Sequence, residues 1–185
     1  MNMFVGITAR LLAPIALGVI VNFAAAFAAL GACSAPPSGL VSWWRGEGTA
    51  ADSTGTNNGT LLGGASFSPG FVGQSFAFTD VSQLIQIPSS DSLNLTNSLT
   101  LETWVEVGAN PSTDASVILG KDDLGSGRQY ELDVVNTGSQ LVLRASVGVP
   151  SGFVTITGTN AVPLNSWTHV AMTYDGAILA LYVNG

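Results

Sequence analysis

Asp52-Ser-Thr-Gly-Thr-Asn-Asn-Gly-Thr60 gathers the oxygen donors that a hard cation needs. Calcium takes several oxygens from carboxylate, amide and carbonyl groups on a chain that folds back on itself. Asp52 supplies a carboxylate, Asn57 and Asn58 supply amides, and Gly55 and Gly59 let the backbone turn inward. The same residues are also the ordinary vocabulary of turns, so a polar turn-rich loop is the competing reading. An EF-hand is excluded, because the acidic spacing differs and no terminal Glu follows.

A second group lies on Leu99–Val107. In an extended strand alternate side chains share a face. Leu99, Leu101, Thr103, Val105 and Val107 therefore point to the core, and Thr100, Glu102, Trp104 and Glu106 point away from it. An indole between two carboxylates suits stacking on a sugar ring while the carboxylates accept hydroxyl hydrogens. It equally suits a Trp that packs under a loop. His169, the single histidine, sits on a strand beside Trp167 and reads as a surface or groove residue rather than a base. Trp43 and Trp44 are adjacent, so one faces the core and the other a partly exposed surface.

Glu131-Leu-Asp-Val-Val-Asn136 places two carboxyls on one strand face. A retaining glycosidase needs two carboxyls about 5–5.5 Å apart. Asn136, further along the run, is an amide and cannot deliver a proton. The simpler expectation has Tyr130, Leu132 and Val134 buried, with Glu131 and Asp133 solvated. Lys121-Asp-Asp-Leu-Gly-Ser-Gly-Arg128 reads as a charged, solvated turn. No nucleophile elbow, phosphate loop or dinucleotide fingerprint is present in the sequence.

The elements that must carry these groups are short. Strand-like runs at Leu40–Arg45, Ser75–Thr79, Leu84–Ile87, Leu99–Val107, Ser116–Lys121, Gln129–Val135, Gln140–Val147, Phe153–Thr157, Trp167–Tyr174 and Ile178–Val183 are separated by Gly, Pro, Asn and Asp. No segment after the leader has helical period, so the expectation is an all-β sandwich or barrel. Asp175-Gly176, between two alternating runs, is a strong hairpin signal. Asn184-Gly185 is a second turn dipeptide with no strand after it, from which the domain is expected to be incomplete at its C-terminal end.

The first 32 residues read as a signal peptide: one cation, Arg10, then the apolar run Leu11–Ala32 ending in small residues. The run is also about long enough to span a bilayer, so an uncleaved anchor is the alternative. Cys33 is the single cysteine, which excludes a disulfide within the chain. Residues 33–39 form a linker and 40–185 one domain. A net charge of −7, with five Lys and Arg and no cluster of them, gives no electrostatic footprint for nucleic acid or an anionic membrane.

Three blocks carry a resemblance: Ser38-Gly-Leu-Val-Ser-Trp-Trp-Arg-Gly-Glu-Gly48 with its following Asp52 loop, Leu99-Thr-Leu-Glu-Thr-Trp-Val105, and Trp167-Thr-His-Val-Ala-Met-Thr-Tyr-Asp-Gly176 through Leu181-Tyr-Val-Asn-Gly185. In this order they resemble the laminin-G-like domains of the concanavalin A-like, pentraxin-like group. That resemblance implies a jelly-roll sandwich of two antiparallel sheets, with further strands after Gly185. It implies a structural calcium held by Asp52, the Gly55 carbonyl and Asn57, with Asn58 beside them and a last acidic ligand from a later strand. The Glu131 strand is similar to that of laminarinase-like glycosidases, apart from Asn136. Leu30-Gly-Ala-Cys33 resembles a bacterial lipobox, which would make Cys33 an acylated anchor; an ordinary mature-region cysteine is the alternative.

The expected function is a non-catalytic extracellular binding or adhesion module for glycans or surface glycoproteins. Trp104, Glu102, Glu106 and His169 are its candidate contacts, and any membrane association runs through the leader or a lipid. The alternatives are a degenerate glycoside hydrolase or polysaccharide lyase domain, and a spacer within a larger secreted protein.

Overall fold

A computed structural model describes residues 36–108, 115–123 and 127–185. The leader, Cys33 and the first linker residues lie outside them. Eleven strands follow in order: β1 (Thr60–Leu62), β2 (Ser66–Pro69), β3 (Gln74–Ala77), β4 (Leu84–Gln86), β5 (Leu99–Val105), β6 (Ala115–Asp123), β7 (Gly127–Asn136), β8 (Leu141–Val149), β9 (Gly152–Ala161), β10 (Thr168–Tyr174) and β11 (Leu179–Val183). A 3-10 turn spans Asp91–Leu93. Among the described residues no helix is long and apolar enough to cross a membrane.

The chain folds as an all-β jelly-roll sandwich. One sheet runs β6-β7-β8-β9 and a second β11-β10-β5, with the pairs β1-β4 and β2-β3 beside them. All ladders are antiparallel. The core fills the space between the two larger sheets: Leu101 and Met172 from one face Leu132, Leu143 and Ala145 from the other, with Trp44 and Ile85 joining them. This follows from alternation, since Leu99, Leu101, Val170 and Met172 share one side of the β5–β10 ladder.

Asp175-Gly176 makes the expected hairpin. Asp175 Oδ1 accepts the amides of Ala177 at 2.8 Å and Ile178 at 2.7 Å, while Gly176 takes φ 97°. The turn therefore needs a residue without a Cβ at its tip. These two amides hold the Asp175 carboxyl below its ordinary range against a small opposing effect of burial.

Four expectations are corrected. Leu40–Arg45 is not a strand: it contributes one isolated bridge, Trp44 to Asp52, because the Trp43 amide donates to the Asp52 carboxylate instead of a neighbouring strand carbonyl. β5 stops at Val105, and Val107 makes only an isolated bridge with Leu164. Glu131 and Asp133 are not solvated; they are 4% and 1% exposed. Both lie on the non-core face of β7, flanked by β6 and β8. Glu131 lies opposite Gly120 and Ser146, its Cγ over the bare Cα of Gly120, and Asp133 lies under Arg144. β6 does not end at Lys121 but runs on to Asp123, into the expected solvated turn, and Lys121, opposite Tyr130, is fully buried with Nζ donating to Ser89 Oγ at 3.2 Å.

Candidate functional site

The β5–β10 ladder brings three of the four expected contact residues together. Trp104 lies opposite His169, and Glu102 is opposite Ala171. The His169 ring meets the indole edge-on at 5.5 Å, and its Nε2 is 3.8 Å from Glu102 Oε2. Asn184 fixes this end of β10: its Oδ1 accepts the His169 amide, and its own amide donates to the His169 carbonyl. Glu106 does not join them. It lies past the end of β5, exposed, because the ladder that would have aligned it stops one residue earlier.

Phe71 is a member that sequence reasoning missed. Its ring stacks on Trp104 at 4.1 Å and 16°, and half of it is open to solvent (50%). The signal was a lone aromatic in a loop, Pro69-Gly-Phe-Val-Gly73, with no period to place it. The indole is thus packed against a loop residue, and the pair forms one aromatic patch.

Beside this patch runs an open cleft of about 980 Å³. Every residue from Ser98 to Trp104 lines it. Neighbouring residues of a strand point to opposite faces, so the cleft runs along an edge of β5, and it also takes in His169, Thr173 and Tyr174 of β10. The facing wall is the segment from Pro36 to Trp44. Within that wall Trp43 is half-buried with the Arg45 guanidinium 5.0 Å over its ring, whereas Trp44 is 3% exposed, as adjacency in an extended segment requires.

The Asp52 loop braces this wall. Asp52 Oδ1 accepts from the Trp43 amide at 2.9 Å, the Thr54 amide at 3.0 Å and the Thr54 hydroxyl at 3.1 Å; Oδ2 accepts from the Asn57 amide at 3.3 Å. Asn58 Oδ1 accepts the Asp52 amide at 2.9 Å. Asn57 Nδ2 donates to Ser42 and Ser92, and its Oδ1 accepts from Ser90 and Ser92. Trp44 Nε1 donates to the Asn57 carbonyl at 2.6 Å. Burial raises the Asp52 carboxyl, but the amides of Trp43 and Thr54 and the hydroxyls of Ser42 and Thr54 together outweigh it and hold the group below its ordinary value.

A carboxyl depressed on folding contributes stability above its unfolded value, ordinarily 3.8, and that contribution is lost as pH falls through the folded value. The expected outcome is that Asp52→Asn melts well below wild type at neutral pH, and that the gap narrows below about pH 4. Melting temperatures of both proteins down the acid limb check it; a gap that stays constant with pH would contradict it.

On the other sheet, Asp133 sits opposite Arg144, whose Nε and Nη2 both donate to its carboxylate, Nε at 3.1 Å from Oδ2. Asn136 Oδ1 accepts the Gly138 amide at 2.8 Å and closes the turn after β7.

A laminin-G family model, described as that of the concanavalin A-like lectin/glucanases superfamily, matches residues 79–185, more than half of the chain. The chain belongs to this superfamily. Comparison with curated proteins and with solved structures finds no match. The match takes in β4 to β11 of the superfamily sandwich, and with them Glu102, Trp104 and His169. Phe71 and the Asp52 loop precede it.

Proposed function

We propose that this concanavalin A-like domain is a non-catalytic binding module that acts outside the cytoplasm on glycans or glycoproteins. The observation that carries the reading is the patch of Phe71, Trp104 and His169 with the Glu102 carboxylate, opening beside a cleft of about 980 Å³. Sugar rings present apolar C–H faces and a rim of hydroxyls. Aromatic faces receive the first, and carboxylate and imidazole groups the second. The leader sequence supports export. The non-catalytic reading draws on the sheet opposite: Asp133 is engaged by Arg144 and the Asn136 amide by its turn.

Affinity electrophoresis against a panel of soluble polysaccharides tests the proposal. Wild type is expected to be retarded by at least one polysaccharide. Trp104→Ala and Phe71→Ala should each weaken that affinity on the order of tenfold, about 1.4 kcal/mol. Retardation unchanged in both variants, or absent with every polysaccharide, would overturn it.

A further inference from the structure

We infer that the Asp52 loop is closed by its own hydrogen bonds in place of a cation, and that this closure holds the Trp43–Trp44 wall of the cleft independently of calcium. Calcium requires six to eight oxygens whose lone pairs converge on one point. Here they diverge toward hydrogen donors. A carboxylate offers about four acceptor sites, and those of Asp52 are taken up by protein donors: the amides of Trp43, Thr54 and Asn57 and the hydroxyls of Thr54 and Ser42. The Asn57 side-chain oxygen faces the hydroxyls of Ser90 and Ser92, its carbonyl faces the Trp44 indole N–H, and the Asn58 side-chain oxygen faces the Asp52 amide.

A cation placed among these oxygens would meet N–H and O–H hydrogens rather than lone pairs. Among the described residues, no three His, Cys, Asp or Glu side chains gather to hold a metal. Gly55 fits the same picture. A Cβ there would stand 2.8 Å from Asp52 Oδ2, so the missing side chain lets the backbone close on the carboxylate itself. The residues present therefore do not fit the calcium that the resemblance implies.

What the hydrogen bonds join is the functional content. The Trp43 amide, the Trp44 indole and the Ser42 hydroxyl lie in the cleft wall. Ser92 lies in the 3-10 turn and Ser90 immediately precedes it. Asp52 and Asn57 tie both to one loop, as positioning residues for the wall. The Asp52 carboxylate charge does the work that a bound cation does in a metal-closed loop.

The test uses the full chain and two readouts. Melting in millimolar calcium and in EGTA should give coincident transitions. Terbium, a calcium mimic that a nearby indole sensitises, should give no Trp-sensitised emission above that of Asp52→Asn. Asp52→Asn should lower the melting temperature by roughly 5–10 °C, equally with and without calcium. A calcium-dependent rise in the wild-type transition, or saturable terbium emission lost in Asp52→Asn, would overturn the inference. The wild-type measurements decide it even where the variant does not fold, and they stand apart from any outcome with polysaccharides.

Discussion

Arg144→Leu should destabilise the protein by about 3–5 kcal/mol, more than most substitutions at a partly exposed position. The Arg144 side chain is about a third exposed, but the Asp133 carboxylate beneath it is almost wholly buried. Two guanidinium nitrogens donate to that carboxylate from directly across the β7–β8 ladder. Without them a carboxylate remains inside a sheet with its charge uncompensated, which is the costly half of a buried ion pair. The pair itself is a different matter. Replacing Asp133 and Arg144 together by valine removes both charges, and should restore most of the loss. Urea midpoints of wild type, Arg144→Leu and the double variant check this; a single variant within about 1 kcal/mol of wild type would contradict it.

Trp44→Ala is expected to cost about 3–5 kcal/mol from the lost ring and the cavity left behind. The residue is fully packed in the core, and its Nε1 is the donor to the Asn57 carbonyl. Trp44→Phe separates the two contributions. It keeps an apolar ring and removes the N–H, leaving a buried carbonyl without that donor, for about 1–3 kcal/mol. Denaturant unfolding of the two variants should therefore rank wild type above Phe above Ala. Equal stability of the Phe variant and wild type would mean that the indole hydrogen bond does not tie the loop to the core.

The elements of the fold differ in how visible they are in the sequence. The β10–β11 hairpin is local: the alternation of Val170, Met172 and Tyr174, the Asp175-Gly176 turn and the answering Leu179, Leu181 and Val183 lie within one short stretch. Such a unit is read without any knowledge of the rest of the chain. The same alternation correctly sorted Leu101 from Glu102 and Trp104, and the antiparallel register then set His169 opposite Trp104.

Alternation fixes the side of a sheet, not the depth of burial. The sequence puts Glu131 and Asp133 on the correct face but not at the correct depth, because Gly120 and Arg144 act from the adjoining strands β6 and β8, which alternation along β7 does not show. The charged run from Lys121 reads as a turn for a related reason: its first residues, Lys121 to Asp123, continue β6, which composition alone does not show. The segment from Leu40 to Arg45 has strand-like composition, yet its amide pairing is set by a side chain nine residues away. Phe71 had no period at all, and only the fold brings it onto Trp104.

Ligand binding at the aromatic patch is the central claim, and the tryptophan indole N–H resonances test it most directly. The chain has four tryptophans, Trp43, Trp44, Trp104 and Trp167, each giving one indole signal that a single substitution assigns. Titration with the polysaccharide fragment that retards the protein should shift the Trp104 signal saturably and leave buried Trp44 in place. A saturable shift confined to other tryptophans, or no shift at any of them, would contradict the account.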